Sequence, residues 1–276
     1  MLKCGSHSFD LRRPLVMGIL NVTPDSFHPE SRAPDQASAF VRARQMADDG
    51  ADIIDIGGES TRPGAPPVDA DEEMARVVPL AAELAAAGIA VSVDTMKPDV
   101  MRAALGAGVA MINDVSALRS TGALEALAES DAAVCIAHMQ GEPRSMQQSP
   151  RYADVVAEVL AFLVARAKAC ESAGVARERI VIDPGFGFGK TLAHNLALAH
   201  ALREFAATGY PVLTGWSRKS SLGAITGRDV ADRLPASIAA ALAMVARGAS
   251  IVRVHDVRAT VDALKVWRAI ESGAAG

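Results

Sequence analysis

The stretch "IVIDPGFGFGKT" (residues 180–191) decides how the chain is read. Ile180, Val181 and Ile182 form an unbroken β-branched run, as in a strand buried on both faces. Asp183 stands where that strand leaves the core, and three alternating glycines follow. Two phosphate loops invite comparison, and neither fits. A Walker A loop needs glycine at position 184, where the chain has Pro184. A dinucleotide fingerprint needs G-x-G-x-x-G, whereas Gly185, Gly187 and Gly189 give G-x-G-x-G. The stretch therefore reads as strand, carboxylate and a turn of bare backbone, with Lys190 and Thr191 starting the next helix and bracing the loop.

Seven similar runs surround it. "LVMGIL" precedes Asn21, "ADIIDIGG" precedes Glu59, "AVSV" precedes Asp94 and "AMI" precedes Asn113. "AVCIA" precedes His138, "PVLTGW" precedes Ser217, and "SIVRVHD" ends the series. Helical patterns separate them, at roughly residues 35–49, 69–87, 98–105, 124–129, 194–207, 235–246 and 259–270. The longest is predicted over 149–174, with Ser149 as N-cap, Pro150 in the first turn and Gly174 as the stop. Eight β/α units with no linker predict an α/β fold, a single-domain (β/α)8 TIM barrel covering residues 1–276. A doubly wound open sheet is the alternative, but its fingerprint loop is missing.

Nearly every strand ends in a polar residue, at the face where such barrels place their chemistry. Side chains two apart share a face, so Ser92 with Asp94, Met111 with Asn113, Val181 with Asp183, and Arg253 with His255 point together. The apolar partners suit a barrel interior, which places the polar ends at the top of the lumen. Carboxylates there need donors. Two of them converging with an amide predict a flat ligand rich in N–H groups.

Half the residues are hydrophobic and 22% are charged, which suits a globular protein with a full core. The net charge of −4 predicts no general attraction to nucleic acid or anionic membrane. Three scattered cysteines, none in C-x-x-C spacing, predict reduced thiols and a cytoplasmic location. The start lacks the apolar core of a signal peptide, and no run is apolar enough to span a bilayer.

"MGILNVTPDSF" (17–27), "DIGGESTRPGA" (55–65), "DPGFGFGKT" (183–191), "GWSRKSS" (215–221) and "RVHD" (253–256) lie in order along nearly the whole chain. Together they resemble the dihydropteroate synthase family of pterin-binding barrels. The resemblance implies condensation of 6-hydroxymethyl-7,8-dihydropterin diphosphate with para-aminobenzoate, releasing pyrophosphate by an SN1-like path. It implies pterin binding by Asp94, Asn113, Asp183 and Lys219. The diphosphate falls to Asn21, Thr61, Arg62, Arg253 and His255, with Asn21 also a ligand of Mg²⁺. The aminobenzoate falls to Phe27, Pro63, Phe188 and Ser220. Arg253, His255, Lys219 and Asp94 are the implied catalytic set, and a homodimer through helices opposite the substrate loops is the implied assembly. One stretch departs from the family: "HPESRAP" (28–34) replaces a glycine-rich segment, and Pro29 is expected to stiffen that loop.

Two rival readings share the pterin-binding residues. A pterin-dependent methyltransferase barrel has no need for the Arg253 and His255 anion site or for "SRKSS". A non-catalytic pterin-binding homologue has no need for intact anion-site charges.

Overall fold

A computed structural model describes residues 1–23, 36–60, 67–143 and 145–273. The chain begins with an antiparallel hairpin of β1 (Leu2–Cys4) and β2 (His7–Phe9). The first half then runs β3 (Leu15–Asn21), α1 (Gln36–Asp48), β4 (Ile53–Gly57), α2 (Ala70–Ala86), β5 (Val91–Asp94), α3 (Pro98–Gly106), β6 (Met111–Asp114) and α4 (Ala123–Ala128). The second half runs β7 (Ala133–Ala137), α5 (Val155–Ser172), β8 (Ile180–Asp183), α6 (Leu192–His200) and α7 (Leu202–Ala206). It ends with β9 (Leu213–Thr214), α8 (Ser220–Thr226), α9 (Leu234–Val245), β10 (Ile251–Val254) and α10 (Val257–Ser272).

Strands β3 to β10 are all parallel, in the order β8-β7-β6-β5-β4-β3-β10-β9. A single parallel bridge between Ile182 and Val212 joins the two ends of that order. The result is the expected (β/α)8 barrel. Strand alternation separates two apolar layers. Leu20, Ile54, Val93, Ile112, Ile182 and Val252 face outward onto the helices. Met17, Ile53, Met111, Cys135, Val181 and Ile251 face into the lumen.

The hairpin is not evident in the sequence pattern, being only three residues per strand. It matters to the site, because Leu2 and Cys4 bury themselves against the lumen layer. The N-terminal end of the barrel is thereby closed with apolar side chains, and the polar groups above are approached from the C-terminal mouth.

Two helix boundaries differ from expectation. The long helix begins at Val155, not at Ser149, because Asp154 caps it by accepting from the N–H groups of Val156 (2.9 Å) and Ala157 (3.0 Å). The preceding residues are held out of the helix by Gln140, whose amide bonds both N–H and C=O of Arg151 at 2.9 and 2.7 Å. The helix expected over 194–207 is two helices meeting at Ala201, the first capped reciprocally by Thr191 and His194. Helix α8 was not anticipated. Among the described residues, no helix is long and apolar enough to cross a membrane.

Candidate active site at the C-terminal mouth of the barrel

Register carries the polar strand ends to one level. Asp94 pairs with Asn113 across β5 and β6, and Gly57 pairs with Asp94 across β4 and β5. Asp94, Asn113, Asp183 and Arg253 each sit two residues beyond a buried lumen residue, as strand alternation requires. The structure thus brings together four of the residues singled out in the sequence.

Arg253 is the centre of the arrangement. Its Nε donates to Asp55 Oδ2 at 2.6 Å, and its Nη2 donates to Asp94 Oδ2 at 2.8 Å. Burial works against its charge, but Asp55 and Asp94 overcome it and hold its pKa above the ordinary arginine value. Asn113 Nδ2 also donates to Asp55 Oδ2, at 3.2 Å. Burial lifts the Asp94 carboxyl to about 7, against the pull of Arg253. Its ionised form accepts hydrogen bonds, so acid weakens any ligand that donates to it. Affinity for a diphosphate-free hydroxymethylpterin is expected to rise as pH climbs through about 7, up to the range near 8 where Lys219 begins to lose its proton. Calorimetry across that range checks this, and Asp94→Asn is expected to flatten the profile.

The loop after β8 builds a second wall. Asp183 Oδ1 accepts from Gly185 N at 2.7 Å, and burial raises the Asp183 pKa despite that bond. Gly185 has φ +70° and lies so close to β7 that a Cβ would sit 2.0 Å from the carbonyl oxygen of His138. Gly187, φ +82°, leaves room for the Lys219 stem, which would be 3.3 Å from a Cβ there. Gly185→Ala is therefore expected to cost about 1–3 kcal/mol or more of stability, because backbone and not a movable side chain blocks the site. Urea denaturation reads it directly.

Lys190 locks this loop from beneath. Its buried ammonium donates to the carbonyls of His138 (3.0 Å), Gly185 (2.9 Å) and Phe188 (3.0 Å), and lies 3.0 Å from His138 Nδ1. Burial lowers Lys190 to about 7 and, with Lys190 beside it, lowers His138 to about 3. Lys190 braces the loop, as read in the sequence, and His138 is part of that brace.

Lys219 enters from the segment after β9. Its Nζ donates to the carbonyl of Phe186 and lies 4.4 Å from the centre of the Phe188 ring. Burial lowers its pKa to about 8, against the pull of Asp183. Arg218, at φ +57°, holds this segment with a two-pronged bond to Asp256 at 2.8 and 2.6 Å. Ser220, the first residue of α8, is exposed, and Phe188 is half-buried against the apolar group of Val115, Ala137 and Met139. His255 stands beside Ser217, with Nδ1 3.0 Å from its hydroxyl.

Asn21 ends β3 next to the bare backbone of Gly57, whose Cβ would lie 3.3 Å from Asn21 Oδ1. That oxygen borders a gap that a side chain on residue 57 would fill. Among the described residues no three His, Cys, Asp or Glu side chains cluster to hold a metal by themselves. Mg²⁺ has no need of such a cluster, since one protein oxygen with phosphate and water oxygens suffices. The donor set fits it.

Phe27, Thr61, Arg62 and Pro63, and the stiff loop expected over 28–34, lie outside the described residues. The flanks of 61–66 are anchored: Glu59 Oε1 accepts from Val68 N at 3.1 Å, and Lys97 joins Glu59 (2.5 Å) to buried Glu73. Two contributors escaped the sequence reading. Ser217 was seen only as a strand end. Asp55 was seen only within a motif, although a carboxylate inside the apolar run "ADIIDIGG" and in phase with Ile53 was a usable signal.

Comparisons with known proteins agree with the fold. A family model described as "Pterin binding enzyme" matches residues 17–255. The dihydropteroate synthase of Neisseria meningitidis serogroup C is 52% identical over 273 residues, covering 97% of this chain and 96% of that protein. That of Escherichia coli K12 is 47% identical over 263 residues, covering 95% and 93%. Among solved structures, Burkholderia cenocepacia dihydropteroate synthase complexed with 7,8-dihydropteroate superposes with TM-score 0.91 at 52% identity, covering 99% and 96%. The Xanthomonas albilineans enzyme with 4-aminobenzoic acid gives 0.90 at 50% identity, covering 95% and 94%. The Yersinia pestis enzyme with a sulfonamide drug gives 0.93 at 44% identity, covering 98% and 99%.

Proposed function

The chain belongs to the dihydropteroate synthase family of pterin-binding enzymes, which are transferases, and we propose how its barrel mouth carries out that reaction. The substrates are 6-hydroxymethyl-7,8-dihydropterin diphosphate and para-aminobenzoate, and the products are 7,8-dihydropteroate and pyrophosphate, for folate biosynthesis. The observation that carries this reading is that Arg253 bonds Asp94 directly and meets Asn113 on the shared carboxylate oxygen of Asp55. Hydrogen-bond acceptors for a flat heterocycle and a permanent cation for its leaving group lie side by side.

Asp183 accepts from the amide N–H and exocyclic amine of the pterin, with Asp94 and Asn113 on the rest of its edge. Lys219 meets the ring from the other wall, beside Phe188. As the C–O bond to diphosphate lengthens, negative charge grows on the leaving group and positive charge spreads into the pterin. Arg253 and His255, with Thr61 and Arg62, stabilise the former, and the ionised carboxylates of Asp94 and Asp183 favour the latter. Asn21 would help to hold Mg²⁺ through Oδ1, and the ion when bound would supply Lewis-acid stabilisation of the leaving group. The aminobenzoate lies toward Phe188, Ser220, Phe27 and Pro63; its neutral aniline nitrogen attacks the carbon that the diphosphate leaves, and the resulting acidic ammonium gives its proton to water without need of a strong base.

The whole chain, residues 1–276, is read as one domain. A homodimer through helices opposite the substrate loops is proposed. A cytoplasmic location is proposed for a chain whose three thiols are each buried and unpaired. The decisive experiment is pyrophosphate release measured with each substrate alone and with both. Release only when both are present is expected. Methyl transfer from a methylated pterin, or binding without turnover, would favour a methyltransferase barrel or a non-catalytic homologue.

A further inference from the structure

Asp55 sits one lumen layer below Asp94 and Asn113, wholly buried in the middle of β4. At that depth it is covered from solvent and reaches other side chains. One of its oxygens, Oδ2, receives both Arg253 Nε at 2.6 Å and Asn113 Nδ2 at 3.2 Å. Its other oxygen and the hydroxyl of Ser92, its register partner on β5, are buried without a hydrogen-bond partner among the described residues. Arg253 and Asn113 are therefore the donors that hold the carboxylate in place.

We propose that Asp55 is a positioning residue, whose single oxygen aims the anion-binding Arg253 and the pterin-binding Asn113 together. For Arg253, bonds at Nε to Asp55 and at Nη2 to Asp94 fix the guanidinium plane and leave Nη1 to face a ligand. For Asn113, the carboxylate decides which way the amide points. A flipped amide would set Oδ1 against a carboxylate oxygen, two acceptors in a buried place, so Nδ2 stays inward and Oδ1 is offered to the ligand. Both readers are thus oriented before any substrate arrives, as efficient electrostatic catalysis requires.

This rests on the function proposed above, and the test separates the two. Pyrophosphate release by the unaltered chain tests the function. Asp55→Asn tests the positioning. It is expected to weaken binding of a diphosphate-free hydroxymethylpterin at least tenfold and to lower kcat about 100-fold, on the order of one lost preorganised donor. In an Asn113→Ala background, Asp55→Asn is expected to cost less than threefold further in pterin affinity, because the two act through one contact. A purely structural role would lower thermal stability and leave affinity and kcat of the folded protein unchanged, which would overturn the proposal. If Asp55→Asn does not fold, the unaltered chain still answers. The Asn113 side-chain proton on Asp55 is expected to keep its NMR shift and slow solvent exchange when the pterin binds. Exchange at the rate of an open amide would overturn the proposal as well.

Discussion

Asp183→Asn is expected to leave the barrel folded and to weaken pterin binding by about 2–5 kcal/mol, roughly 30- to 5,000-fold. The geometry explains why the two effects separate. Oδ1 of Asp183 accepts from Gly185 N at 2.7 Å, a bond that an asparagine oxygen keeps. The substituted nitrogen then falls on the other side, facing the N–H groups of the pterin, so a donor confronts donors. Burial already raises the Asp183 pKa, so removing its charge relieves a desolvation cost in the unliganded protein. Thermal unfolding is therefore expected at the same temperature or higher. Calorimetry with a hydroxymethylpterin tests the binding. Unchanged affinity would show that Asp183 only closes the turn at Pro184, and the pterin pocket would have to be placed elsewhere.

What was legible in the sequence follows from what alternation and spacing encode. The barrel was legible because eight apolar runs, each ending in a polar residue, leave few other architectures. The lumen placement of Asp94, Asn113, Asp183 and Arg253 was legible because a two-residue period needs no tertiary knowledge. The pairing of those residues was not. Arg253 and Asp55 are 198 positions apart, and only closure of the ring sets β10 against β3 and so near β4. Sequence parity joined Arg253 to His255 and the family resemblance assigned both to the anion, while the structure also ties Arg253 to Asp94. The start of α5 was misplaced for a local reason. Ser149 and Pro150 have the chemistry of a helix start, but Gln140 captures the backbone of Arg151 and passes the cap to Asp154. The hairpin of β1 and β2 is too short to give a periodic signal, and its role depends on the barrel end that it closes.

Arg253→Ala is expected to lower turnover by about 10²–10³, the usual result of removing one preorganised donor to a developing anion. It is also expected to destabilise the fold by about 3–5 kcal/mol, because Asp55 would keep a wholly buried charge with no cation against it. A third effect separates this site from a plain anion hole. Arg253 pulls the Asp94 pKa down against burial, and without that pull it climbs above about 7. More of Asp94 is then protonated at neutral pH, and the acceptor for the pterin is lost with it. Affinity for a diphosphate-free pterin should fall at pH 7 and recover toward the parent value as pH rises past the shifted carboxyl. Adding Asp55→Asn to Arg253→Ala should restore much of the stability, since the stranded charge is gone, and none of the turnover. Equal turnover in the single variant and the parent would remove Arg253 from the anion site. Stability that falls no further in Arg253→Ala than in the double variant would show that the Arg253 contact with Asp55 adds no charge-pair stabilisation, which is the pairing on which the positioning of Arg253 depends.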